Sequence, residues 1–206
     1  MGNKELIDSL YNSRLIEDRM DHIKFSLEQV SIYSGLYLEF GVRKGYSANF
    51  IADIINPSLI YGFDSFAGLP EKWKRSVDDE IVYPAGTFAV ESLPEVRDNV
   101  RLVKGWFQDT LPTFKFDHPE NIAFINIDSD LYSSAKTILN ELNGQIVPGT
   151  ILYFDEITGW GELIRQYENW REGEYKALIE WIDQYNRKVS PVSRNGRYGA
   201  TLKVII

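Results

Sequence analysis

Two apolar runs in this chain break off in acids. "NIAFINIDSDLYSS", residues 121–134, ends its run at Asp128 and adds Asp130 two positions on, while "TILYFDE" ends at Asp155 and Glu156. If the runs are neighbouring strands of one sheet, their ends lie roughly 5 Å apart. Asp128, Asp155 and Glu156 then converge on one rim. Left bare, such carboxylates repel and push one another's pKa values up. A divalent cation resolves that conflict, and hard oxygen donors without His or Cys select Mg²⁺, with Mn²⁺ or Ca²⁺ as alternatives. Asp130 lies past the strand, where a helix begins. It reads equally as a cap for that helix or as a general base beside the metal.

A second group of residues lies nearer the N-terminus. "EFGVRKGYS", residues 39–47, puts Gly41 and Gly45 after an apolar run and Ser47 at the start of a helical pattern. Glycines there permit a tight turn and close approach of a ligand to the backbone. Arg43 stands where a dinucleotide fingerprint has its second glycine, so a phosphate is a poor fit. Asp64 ends the next apolar run, at the place where an acid in doubly wound folds accepts hydrogen bonds from both ribose hydroxyls. Each feature has a plain structural reading, as a turn and as an aspartate capping "SFAGLP". Together they point to a bound nucleoside.

Positioning these residues requires a particular framework. "LYLEFG", "SLIYGFD", "VRLVKGW", "IAFINID" and "TILYFDE" are short β-rich runs, too continuously apolar to be half-exposed. Helix-period stretches separate them. From about Ser47, residues Phe50, Ile51, Ile54 and Ile55 share one face, and "SSAKTILNELNG" aligns Ala135, Ile138, Leu139 and Leu142. "LPEVRDN" reads as a further helix before the third run. The alternation predicts an α/β fold with a parallel sheet covered on both faces. Two more helices, "GELIRQYENW" and "GEYKALIEWIDQYN", precede "KVSPVS" and "YGATLKVII", with Asn195-Gly196 between them as a hairpin signal. The expected architecture is a doubly wound, mostly parallel, seven-stranded sheet that closes with a C-terminal antiparallel hairpin. No linker or repeat interrupts it, so residues 1–206 read as one domain.

Composition narrows the partners. A net charge of −8 opposes binding to nucleic acid or an anionic membrane surface. With no cysteine and only His22 and His118, thiolate chemistry and multi-histidine metal sites are excluded. No signal-peptide pattern or apolar span is evident, so a cytoplasmic location is the expectation. The N-terminal 36 residues carry a stripe of Ile16, Met20, Ile23, Leu27 and Val30. That stripe is a lid, a homodimer contact or ordinary packing on the sheet, with His22 beside it read as a surface residue. "KRSVDDEIVYPAGTF", residues 74–88, either arches over the site or packs on the surface. Trp160 either faces a substrate ring or packs in the core.

"YLEFGVRKGYS", "IYGFDSFAGLP", "AGTFAVESLPEVRDNVRLVKGWFQDTLP", "INIDSDLYSS" and "ILYFDE" together resemble the macrocin O-methyltransferase family, over about Tyr37 to Glu156. Those are class I, Rossmann-like, metal-dependent S-adenosylmethionine methyltransferases acting on hydroxyls of sugars and natural products. The resemblance implies that Glu39, Gly41 and Gly45 line the methionine and ribose part of the cofactor and that Asp64 holds the ribose. Trp106 and Phe107 would lie near the adenine, and Ser47, Ser65 and Asp128 complete the cofactor-binding set. Asp128, Asp155 and Glu156 would bind the metal, and Asp130 would be the general base. The chain departs from the family pattern at Tyr46, usually glycine, and at Glu156, usually aspartate. Competing readings are a metal-independent methyltransferase of a carboxylate or amine, a nucleoside-binding module without chemistry, and, ranked last, an NAD-dependent oxidoreductase.

Overall fold

Apolar runs with alternating sides become strands that bury both faces. In the computed structural model, which describes residues 3–32, 34–160 and 166–206, all six residues of the strand Ile122–Ile127 are buried. Its Ile125 and Ile127 face one core and Phe124 the other. The neighbouring strand Ile151–Phe154 divides likewise, Leu152 and Phe154 to one side and Ile151 and Tyr153 to the other. A fully buried side chain of this size contributes about 1.5–3 kcal/mol.

In chain order the elements are α1 (Asn3–Tyr11), β1 (Arg14–Ile16), α2 (Arg19–Glu28), β2 (Leu36–Phe40), α3 (Tyr46–Ile55) and β3 (Ile60–Asp64). A small ribbon follows, β4 (Trp73–Lys74) and β5 (Val82–Tyr83), then β6 (Val100–Lys104), α4 (Phe107–Asp117), β7 (Ile122–Ile127) and α5 (Tyr132–Glu141). The chain continues through β8 (Ile151–Phe154), a 3-10 turn at Glu168–Glu172, α6 (Glu174–Gln184), β9 (Val189–Asn195) and β10 (Ala200–Val204). The main sheet has the order β1-β9-β10-β8-β7-β2-β3-β6. Strands β6, β3, β2, β7 and β8 run parallel, and β10 is antiparallel to both β8 and β9. Helices α2 and α3 cover one face through Ile23, Leu27, Ile51 and Ala52. Helices α4, α5 and α6 cover the other through Leu111, Phe114, Ile138, Leu139, Leu178 and Trp181.

The mostly parallel sheet with its C-terminal hairpin is as the sequence implies, but among the described residues it has eight strands, not seven. The extra one is β1, which pairs parallel with the edge of β9. Ile16 therefore lies on a strand rather than on the helical stripe. Asp18 ends the extended segment by accepting hydrogen bonds from the amides of Met20 and Asp21, which starts α2 there. Residues 93–99 form no helix. Asn49 on α3 instead donates to the Glu95 carbonyl and accepts from the Arg97 amide, and Arg97 forks onto Asp53. Pro94 suits that extended path.

His22 is not on the surface. It is fully buried between α2 and the hairpin, with Nε2 2.9 Å from Ser193 Oγ and 3.0 Å from Thr201 Oγ1. Burial lowers its pKa to about 4, so the ring is neutral. The polar strand positions that receive it are distant in sequence, so no local pattern announces them. The stripe itself packs on the sheet: Ile23 and Leu27 are buried, with Met20 and Val30 against the same core. Residues 161–165, half of the "GELIRQYENW" helix expectation, lie outside the described residues; its end is the 3-10 turn.

Candidate active site

The parallel strands β2, β3, β6 and β7 open at their carboxyl ends onto a cavity of about 560 Å³. Gly41 closes β2 against β7. Its φ of +100° suits glycine, and a Cβ there would overlap the Asp128 carbonyl oxygen. The next turn is equally constrained. Arg43 adopts φ +48°, and Gly45, at φ +77°, is the N-cap of α3.

Asp64 at the end of β3 is held in place by two backbone donors: the Arg43 amide to Oδ2 at 2.7 Å and the Phe66 amide to Oδ1 at 2.6 Å. Each carboxylate oxygen retains a second lone-pair direction for an incoming donor. Gly41, Asp64, Ser65, Trp106, Phe107 and Asp128 all line the cavity, as does Asp130. Five other sequence-derived residues are absent from its lining: Glu39, Gly45, Ser47, Asp155 and Glu156. Residues 74–88 do reach it through Phe88, whose ring lies 4.8 Å beneath the Arg43 guanidinium. The rest of that excursion is pinned to the 3-10 turn by Asn169 and Glu168. Trp160 is buried against Tyr11 and the Arg194 guanidinium.

A glycine cradle, a pre-oriented carboxylate and two aromatic side chains in one cavity fit a nucleoside with a ribose diol. Glu39 sits behind them, fully buried on β2, with Asn126 Nδ2 donating to Oε1 at 2.8 Å. Burial pushes its pKa up to about 7, against the help of Ser47, Arg19 and Asn126. Since the unfolded value is 4.5, the folded state holds a proton between these two pH values that the unfolded chain has released. Stability from this group therefore falls as pH rises from about 4.5 to about 7 and stays lower above that. Glu39→Gln, which keeps the acceptor for Asn126, is expected to remove this slope in the cofactor-free protein. Thermal unfolding at pH 5 and pH 8 checks it: the variant should gain on the wild type slightly at pH 5 and most at pH 8, by at most about 3 kcal/mol.

The acids at the strand ends come together as their spacing implies, but with two arginines among them. Arg19, the first residue of α2, donates from Nη2 to Asp128 Oδ2 at 2.6 Å and from Nε to Asp155 Oδ1 at 2.5 Å. Burial alone would lower its pKa; the Asp155 and Asp128 carboxylates outweigh that and raise it. Arg75 Nη2 stands 3.6 Å from Glu156 Oε1, its guanidinium stacked among Trp73, Tyr167 and Tyr198. Tyr153 donates its hydroxyl to Asp155 at 3.3 Å.

Asp130 has φ +63°, a left-handed conformation that Asp tolerates better than most residues. The cap position of α5 belongs to Leu131, one residue further on, and Asp130 faces the cavity instead. Its loop is held from below by Glu174 at the start of α6. Both the amide and the hydroxyl of Ser129 donate to Glu174 Oε1, at 3.0 and 2.9 Å. Burial and Asp155 push the Asp130 pKa up to about 7, and burial lifts Glu174 to about 8.

Arg19, Arg75 and Glu174 escape sequence reasoning. The charge excess at the strand ends demands a cation but does not say which. The donor set has the right chemistry for a divalent ion. In this arrangement, however, a guanidinium already spans Asp128 and Asp155, and among the described residues no three His, Asp or Glu side chains are placed to hold a metal.

Comparison with known proteins agrees with this fold. A curated relative from Streptomyces olivaceus, 8-demethyl-8-(2,3-dimethoxy-alpha-L-rhamnosyl)-tetracenomycin-C 4'-O-methyltransferase, is 31% identical over 159 residues, 67% of this chain and 59% of the relative. The crystal structure of CalS11, a calicheamicin methyltransferase, superposes with a TM-score of 0.67 at 23% identity, over 97% of this chain and 90% of that one. TomG from Streptomyces achromogenes, solved in complex with SAM, gives a TM-score of 0.53 at 16% identity, over 89% and 77%. These two structures share the fold. The chain spans 59–65% of the length of the curated relatives it matches. The family model described as macrocin-O-methyltransferase matches residues 12–187, and the chain belongs to that family.

Proposed function

We propose that this chain transfers a methyl group from S-adenosylmethionine to a hydroxyl of a small molecule, a sugar or another part of a natural product. One observation carries the reading: Asp130 is aimed, in a left-handed backbone conformation anchored by Glu174, into the same cavity that Asp64 and Trp106 line. When bound, S-adenosylmethionine supplies a methyl on a sulfonium, which needs no activation by the protein. The chain's residues do the rest. Asp64 takes the ribose hydroxyls, and Trp106 and Phe107 flank the adenine. The Asp130 carboxylate accepts the acceptor's proton as its oxygen bonds to the methyl carbon and the carbon–sulfur bond breaks. Holding that oxygen and the methyl in line at roughly 3 Å supplies much of the rate.

A carboxylate acceptor needs no base, so an acid placed at this point favours a hydroxyl. A binding module without chemistry leaves Asp130 and its support without a purpose. An NAD-dependent reading lacks the glycine fingerprint at Arg43. The relative from S. olivaceus, named for methylation of a rhamnosyl compound, supports a sugar acceptor. The metal assistance that the resemblance implies is not carried into this mechanism, because a guanidinium spans the two aspartates. The test is incubation with methyl-labelled S-adenosylmethionine and a panel of deoxysugar glycosides, read by mass spectrometry. A product heavier by one methyl on an oxygen is expected; label on a carboxylate or an amine would contradict the reading.

A further inference from the structure

The geometry points to Arg19 as the resident cation of the acidic cluster, standing between Asp128 and Asp155 in place of a divalent metal. This deepens the methyl-transfer reading, since it concerns what neutralises the carboxylates of that same site.

Three observations carry it. First, the contacts are those of a built ion pair. Two nitrogens of one planar guanidinium reach two different carboxylates at 2.6 and 2.5 Å, a fork that a metal or a lysine does not reproduce. Second, the arginine is delivered by a fixed element. Asp18 caps α2 immediately before it. One turn further, Ile23 is buried in the sheet core and His22 is bound to Ser193 and Thr201. Arg19 is therefore held over the strand ends by the packing of its own helix. Third, each remaining acid already has a protein partner on one oxygen, although Glu156 Oε2 and Glu174 Oε2 are buried without a hydrogen bond. Asp155 also accepts from Tyr153, Glu156 faces the ring-stacked Arg75, and Glu174 is occupied by Ser129. Asp128 and Asp155 each keep a second oxygen, but a cation there would approach a charged guanidinium at close range, where like charges repel strongly.

Arg19 thus does for Asp128 and Asp155 what a metal would do, placing a positive charge between two adjacent carboxylates and fixing both beside Asp130. A guanidinium does not deprotonate in this setting, so this positive charge is present without any metal supply.

The test is Mn²⁺ binding followed by electron paramagnetic resonance, on wild type, Arg19→Gln and Arg19→Lys, with S-adenosylhomocysteine calorimetry alongside. The wild type is expected to show no Mn²⁺ binding below about 1 mM, and Arg19→Gln to bind at least about tenfold more tightly, because removing the guanidinium exposes paired carboxylates. Guanidinium ion at millimolar concentration should then compete with Mn²⁺ in Arg19→Gln. Arg19→Lys should bind Mn²⁺ less well than Arg19→Gln. Micromolar Mn²⁺ binding by the wild type overturns the inference, as does an affinity unchanged by Arg19→Gln. The wild-type measurement decides by itself if the variants fail to fold. Neither readout requires an acceptor, so this result stands apart from the identity of the reaction.

Discussion

Replacing Asp130 with asparagine is expected to lower kcat by about 10²–10⁴-fold, the usual contribution of a positioned general base, while leaving cofactor affinity nearly unchanged. The side chains are nearly isosteric, and Asn tolerates the left-handed backbone that Asp130 adopts, so the loop survives the change. Glu174 continues to hold Ser129 in both proteins, because its partners are the Ser129 amide and hydroxyl and not Asp130. What is lost is the place for the acceptor's proton. Steady-state methyl transfer and calorimetry with S-adenosylhomocysteine separate the two effects. A variant that keeps more than a tenth of wild-type kcat would remove Asp130 from the chemistry.

The second large effect is structural. Gly41→Ala is expected to destabilise the protein by about 3 kcal/mol or more, the sum of a strained backbone and a steric clash. At φ +100° an alanine is disfavoured in itself, and its Cβ would overlap the Asp128 carbonyl oxygen. That carbonyl cannot retreat easily. The Asp128 amide is bonded to the Phe40 carbonyl, and the Gly41 amide to that of Phe63. The loss should appear as a drop in Tm of roughly 6–12 °C, with weaker cofactor binding because β2 and β7 meet at the cavity. Gly144→Ala is the matched control. A Cβ at that position meets nothing within 4 Å, and its Tm should stay within about 2 °C of wild type. Equal melting of the two variants would contradict the close approach of the strands.

How much of this was legible beforehand follows from the range of the forces involved. Strands such as β7 and β8 announce themselves, because burial on both faces requires an uninterrupted apolar run. Asp64, Asp128 and Asp155 are legible for a related reason: an acid at the end of such a run has no place in the core and must lie at the sheet's rim. Gly41 is visible as a turn, though not the carbonyl that forbids a Cβ. Strand β1 is hidden, since three residues on the sheet edge, two of them exposed, carry no period. Residues 93–99 mislead because their partners, Asn49 and Asp53, lie on a separate helix. Arg19 is the clearest omission. It joins acids 109 and 136 residues away, and no local pattern distinguishes it from the other basic side chains. The acids indicate that a cation must come; only the packing of α2 shows which one does.

If the cavity between Gly41, Asp64 and Trp106 is built for S-adenosylmethionine, calorimetric titration should detect it. The cofactor-free protein would be titrated in EDTA with S-adenosylmethionine and, separately, with NAD⁺. Micromolar binding of S-adenosylmethionine with no heat from NAD⁺, abolished in Asp64→Ala, is the expected result. Binding of NAD⁺, or S-adenosylmethionine binding that Asp64→Ala leaves intact, would contradict it.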